Sequence, residues 1–108
     1  MPHDPYQLCI DACDACATAC DRCAVSCLEE RDIRSMGRCV ELDIDCAQIC
    51  RLAAGYMARG SEFAHTMCQV CADVCEACAQ ECAQHPMDHC QECAKACRAC
   101  AQACREMA

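Results

Sequence analysis

Residues 9–27 read CIDACDACATACDRCAVSC, with cysteine at positions 9, 13, 16, 20, 23 and 27. The gaps of 4, 3, 4, 3 and 4 place Cys9, Cys13, Cys16, Cys20, Cys23 and Cys27 on one stripe of an α-helix. These are the a and d positions of a heptad, where a bundle helix usually carries leucine. The stretch CQVCADVCEACAQEC repeats the ladder at Cys68, Cys71, Cys75, Cys78 and Cys82, and CQECAKACRACAQAC repeats it at Cys90, Cys93, Cys97, Cys100 and Cys104. A thinner version runs through Cys39, Cys46 and Cys50; heptad steps from these put Asp43, Ala53 and Met57 in slots that cysteine fills elsewhere. Sulfur-lined stripes on successive helices have to face one another. The pattern predicts an all-α fold, an antiparallel up-down-up-down four-helix bundle with a cysteine-lined core, and one domain over residues 1–108.

Local signals set the expected boundaries. Asp4 followed by Pro5 reads as an N-cap and a first-turn proline, so helix 1 is expected from about Pro5 to Glu30. A charged connection at 29–37 leads to helix 2, capped by Asp32 or Ser35 and ending near Arg59. Leu42, Ile49 and Leu52 are expected to flank its seam. Gly60 and Ser61 read as a helix-terminating glycine and a new N-cap, with helix 3 over about 62–84. Pro86 separates it from helix 4, expected over about 87–106. No strand-like alternation is present.

Composition narrows the function. Nineteen cysteines in 108 residues would ordinarily suggest a secreted disulfide scaffold. Three features oppose that. The first 16 residues carry neither a basic nor an apolar segment of the signal-peptide kind, the cysteine count is odd, and the spacing is helical rather than loop-rich. The expected setting is a reducing cytoplasm, with free thiols or metal thiolates. No apolar run is long enough to span a membrane. A net charge of −8 argues against nucleic acid, whose phosphates require a basic surface.

Leucine would stabilise every seam position better than cysteine, so the sulfur calls for a chemical reason. Metal binding supplies one. Side chains three or four residues apart on a helix have Cβ atoms about 5–6 Å apart, and two sulfurs sharing one metal sit roughly 4–5 Å apart. Each CxxC or CxxxC step can therefore clamp an ion. Soft thiolates select Cu(I), Zn(II) or iron–sulfur clusters. One Cu(I) per thiolate leaves the core neutral, whereas a zinc ion or a cubane cluster on four thiolates leaves a charge of −2 with no seam lysine or arginine to offset it. The ladder is continuous and shows no grouping into fours, which suits two-coordinate Cu(I). Cu(I), many ions per chain, is the expected ligand. A zinc or general thiolate buffer, and a thiol-redox or iron–sulfur protein, remain alternatives. A redox CxxC usually opens a helix after a strand, and these pairs lie mid-helix. No catalytic constellation is evident, so no enzyme is expected.

Outside the cysteines, Asp43 is either a buried carboxylate on the seam or, if helix 2 is rotated there, a solvated rim residue. His89 lies beside Cys90 and is a candidate to ligate or relay copper at one mouth of the core, where His85, Met36 and Met87 also gather. His3, Met57, His65, Met67 and Met107 gather at the other end.

The three ladders quoted above resemble the copper storage proteins, specifically the cytosolic branch without an export signal. The resemblance covers essentially the whole chain. It implies a homotetramer of four-helix bundles that store many Cu(I) ions on inward-facing cysteines. It also implies that copper enters at one end of the bundle, past non-cysteine ligands. A copper chaperone or copper enzyme would be the exchanging partner.

Overall fold

The computed structural model describes residues 5–107. Four α-helices follow one another: α1 at Gln7–Cys27, α2 at Gly37–Ala58, α3 at Ala64–Ala83 and α4 at Asp88–Met107, with a short 3-10 turn at Ile33–Met36 before α2. The molecule measures 50 × 22 × 18 Å, the proportions of one bundle. No helix among the described residues is long and apolar enough to cross a membrane.

Sulfur contacts give the register. Along α1, Cys9 meets Cys104 of α4 at 3.6 Å, Cys16 and Cys20 meet Cys97 at 3.6 Å, and Cys23 meets Cys90 at 3.9 Å. The partner number falls as the α1 number rises, so the two helices are antiparallel. The same inversion holds between α1 and α2, through Cys27–Cys39 and Cys16–Cys46, and between α2 and α3, through Cys39–Cys82 and Cys50–Cys71. This is the up-down-up-down bundle expected from the heptads.

Between the sulfurs lie small residues. Ala17 and Ala24, Ala47 and Ala54, Ala72 and Ala79, and Ala94 and Ala101 are buried pairs, each seven residues apart and each beside its helix's seam. Alanine favours the helix and lets backbones approach closely. A seam of small side chains thus closes without large apolar groups. Met36 and Met57, before and within the last turn of α2, are the largest fully buried side chains, and they fill the two ends of the core as flexible thioethers do well.

The helix ends depart from the sequence reading. Asp4 lies outside the described residues; α1 starts at Gln7 with Tyr6 at its N-cap, and Pro5 stands in the preceding turn. Neither Asp32 nor Ser35 caps α2. Asp32 precedes the 3-10 turn, where its carbonyl accepts the Ser35 hydroxyl at 2.8 Å, and Met36 is the N-cap of α2. At the other end of α2, Gly60 adopts φ 64 as expected. Its N–H bonds to Met57 O and that of Ser61 to Tyr56 O, both at 3.0 Å, the paired closure that needs a left-handed residue and so favours glycine. Ser61 does not cap α3, which begins three residues later; its hydroxyl accepts the Phe63 N–H at 3.1 Å and shapes the turn. Leu52, expected beside the seam, is 48% exposed, whereas Leu42 and Ile49 pack partly against the core.

Candidate metal centre

Heptad spacing on α1, α3 and α4, and its thinner version on α2, turns every seam cysteine inward. All 19 cysteines are free thiols and all are buried, none more than 2% exposed. Neighbouring sulfurs lie 3.4 Å apart at Cys39–Cys82, 3.5 Å at Cys46–Cys75 and up to 4.0 Å at Cys16–Cys20. The pairs form a continuous column. Cys97 alone touches Cys16, Cys20, Cys46 and Cys93, at 3.6 to 3.9 Å.

The column contains fours after all, contrary to the sequence reading. Cys13, Cys71, Cys100 and Cys104 bring their sulfurs within 4.8 Å of one another, as do Cys23, Cys27, Cys39 and Cys90. So do Cys16, Cys46, Cys50 and Cys75; Cys16, Cys20, Cys46 and Cys97; and Cys20, Cys78, Cys93 and Cys97. Helical spacing in one dimension could not show these groups, because each quartet draws on at least three helices. The quartets overlap: the second of these last three shares Cys16 and Cys46 with the first, and Cys20 and Cys97 with the third. Neighbouring quartets therefore cannot each hold a private four-thiolate ion. Their geometry suits ions bridged by shared thiolates. Linear two-coordination would need sulfurs about 4.6 Å apart, from a metal–sulfur bond near 2.3 Å, while a trigonal site needs about 4.0 Å. Sulfurs held within 4.8 Å of one another can accommodate either spacing.

Asp43 belongs to this column. It is fully buried, which overturns the reading of a solvated rim. The thiols of Cys78, Cys93 and Cys82 converge on its Oδ1 at 3.2, 3.3 and 3.4 Å, and Cys39 approaches Oδ2 at 3.9 Å. Burial, followed by the nearness of Cys93 and Cys78, pushes its carboxyl up to about 10. Asp43 is thus neutral at pH 7 in this setting. Burial likewise raises the thiols of Cys27 and Cys68, and pushes Cys90 up to about 11.

At the end formed by the 28–36 connection and the start of α4, His89 faces inward. Its Nδ1 lies 3.4 Å from Cys23 Sγ and 3.5 Å from Cys90 Sγ, while its Nε2 donates to Glu30 Oε2 at 2.8 Å. His85 is held differently, by Glu81 at 2.8 Å, and Arg38 also pairs with Glu81 at 3.3 Å. Met87 is half-buried beside them. At the opposite end His65 is exposed and does not join the core, whereas Met67 and Met107 pack partly against it. His3 lies outside the described residues. Sequence reasoning missed the carboxylates that hold the histidines. Glu81 and His85, four apart on one helix face, carried a readable signal. Glu30 and His89, 59 residues apart, carried none.

A continuous column of buried free thiols is what this chain shares with known proteins. The family profile for copper storage protein matches residues 2–108. The chain belongs to the copper storage protein family. A cysteine-rich protein of Bacillus subtilis, YhjQ, is 49% identical over 83 residues, 77% of each chain. Among solved structures, the Cu(I)-bound copper storage protein BsCsp3 of Bacillus subtilis is similar at 48% identity with a TM-score of 0.92, over 95% of this chain and 97% of that one. A cytosolic copper storage protein from Streptomyces lividans, solved with five coppers, aligns at 40% identity and a TM-score of 0.92, over 94% and 90%. The family's fold is therefore this fold, reached here from heptad spacing.

Proposed function

We propose that this chain is a cytosolic Cu(I) store that sequesters many ions on the thiolates of its core, acting as a single bundle domain without catalytic activity. The observation that carries the reading is the continuous column of buried free thiols in overlapping quartets. Each Cu(I) replaces one thiol proton, so filling the column adds no net charge. Zinc in one quartet would leave −2, and zinc in overlapping quartets would crowd such charges within a few ångströms in a dry core, at a cost of several kcal/mol each. The quartets do supply the four thiolates that zinc prefers, so a zinc buffer is the second reading.

The proposed ligands are Cys9, Cys13, Cys16, Cys20, Cys23, Cys27, Cys39, Cys46, Cys50, Cys68, Cys71, Cys75, Cys78, Cys82, Cys90, Cys93, Cys97, Cys100 and Cys104. Asp43 joins them within the column and His89 at its mouth. Storage rather than delivery follows from depth: delivery needs one exposed site, and these thiols are at most 2% exposed. Exchange with a copper chaperone or copper enzyme, and assembly into a homotetramer, belong to the same proposal.

X-ray absorption at the copper edge of the loaded protein tests the reading. Coordination by about three sulfurs, with copper neighbours at short range, is expected. Coordination mainly by nitrogen and oxygen would refute thiolate storage.

A further inference from the structure

We infer that Glu30 is a positioning residue for copper uptake: its carboxylate holds His89 in the Nε2–H tautomer and keeps the bare Nδ1 aimed at Cys23 and Cys90. The inference rests on the reading of His89 as a copper ligand at the mouth of a Cu(I) store.

The geometry is that of a three-part relay of contacts. Glu30 Oε2 lies 2.8 Å from His89 Nε2. An ionised carboxylate only accepts, so the proton of this bond is on Nε2. A neutral imidazole then has its lone pair on Nδ1, the atom facing Cys23 Sγ at 3.4 Å and Cys90 Sγ at 3.5 Å. An arriving soft ion meets a nitrogen and two sulfurs at one point. Carboxylates that orient a metal-binding imidazole in this way commonly change metal affinity or activity by about 10–100-fold when removed.

Topology adds to the argument. Glu30 stands in the turn after α1 and His89 in the first turn of α4, so the bond ties the connection between α1 and α2 to α4 across the mouth. The two side chains are 30% and 22% exposed, a partly dry setting in which the hydrogen bond is stronger than in water. The neighbouring Glu81–His85 pair has the same 2.8 Å bond but spans one turn of chain, and no thiol bonds to His85 among the described residues. Of the two pairs, Glu30–His89 is the one aimed at sulfur. Without Glu30, the ring is free to flip or to take the other tautomer. A flip would present the Cδ2–H to the thiols, and the other tautomer an Nδ1–H, in place of the lone pair.

The test uses the full chain, reduced and anaerobic, with Glu30→Ala, Glu30→Gln and His89→Ala. Long-range proton–nitrogen NMR reads the His89 tautomer, and stopped-flow transfer from a Cu(I)–chelator complex reads uptake. In Glu30→Ala the tautomers are expected to mix and the first equivalents to load about 10-fold more slowly, with final capacity unchanged. Glu30→Gln, whose amide oxygen still accepts from Nε2–H, should keep most of the rate. Glu30→Ala that retains the Nε2–H tautomer and loads at the wild-type rate would overturn the inference. If His89→Ala is slow while Glu30→Ala is not, only the role of Glu30 falls. If His89→Ala loads at the wild-type rate, the reading of His89 falls and the inference with it.

Discussion

The Cys78 thiol donates to Oδ1 of Asp43 across 3.2 Å, joining α3 to α2 inside the core. Cys82, also on α3, and Cys93, on α4, donate to the same oxygen, so one carboxyl of α2 gathers thiols from α3 and α4. Asp43 thus takes a seam position without becoming an unpaired buried polar group.

That environment sets a pH dependence for the metal-free protein. The Asp43 carboxyl is raised from 3.8 to about 10, so above pH 4 the folded state retains a proton that the unfolded state has lost. Stability is then greatest at low pH and falls as pH rises through this window, by about 1.4 kcal/mol per pH unit from this group alone. Chemical denaturation of reduced apo-protein between pH 5 and 8 should show the fall. Asp43→Asn, which does not titrate, should flatten it.

Copper uptake should release protons. Burial pushes up the thiols of Cys27, Cys68 and Cys90, so loading at these positions replaces protons rather than filling thiolates already formed. A pH-stat titration at pH 7 is expected to record about one proton per thiolate engaged. Release far below that would mean the thiolates pre-exist.

Cys97, like Cys46 and Cys50, has four sulfur neighbours and should be among the costliest single ligands to lose. Cys97→Ala deletes one buried heavy atom and is expected to cost the apo-protein about 1 kcal/mol. Copper capacity should fall by about two equivalents, because bridging ions share that thiolate. Thermal melts and a copper titration of the variant check both expectations.

How much of this was legible beforehand follows from where each signal lives. The ladder at Cys9–Cys27 fixes a helix and its inward face locally, and its returns at Cys68 and Cys90 require partners, so the bundle could be read from spacing alone. The seam slot of Asp43 was readable, but its burial was not, since a local rotation of helix 2 would have given the same sequence. Quartets such as Cys20, Cys78, Cys93 and Cys97 arise from the register between helices, which no single stripe encodes. The capping roles of Asp32 and Ser61 failed for a related reason: Asp32 leads into the 3-10 turn at Ile33–Met36, and the Ser61 hydroxyl is taken up by the turn at 61–63, before α2 and α3 begin.

Loaded protein should be markedly harder to unfold than apo-protein. Cysteine and alanine bury less apolar surface than leucine, so metal adds cohesion that the core otherwise lacks. Each site held at 1,000 times its dissociation constant would add about 4 kcal/mol. A large upward shift of the melting temperature on Cu(I) loading, reversed by a strong Cu(I) chelator, is expected. An unchanged melting temperature would mean that copper binds outside the core.

The most direct test of storage is an anaerobic titration of fully reduced protein with Cu(I) against a chromophoric chelator, repeated in excess zinc. Tight uptake of more than about ten equivalents per chain, indifferent to zinc, is predicted from bridging thiolates and the charge argument. Saturation at a few equivalents, with zinc displacing copper, would contradict the account and leave a zinc-type thiolate buffer in its place.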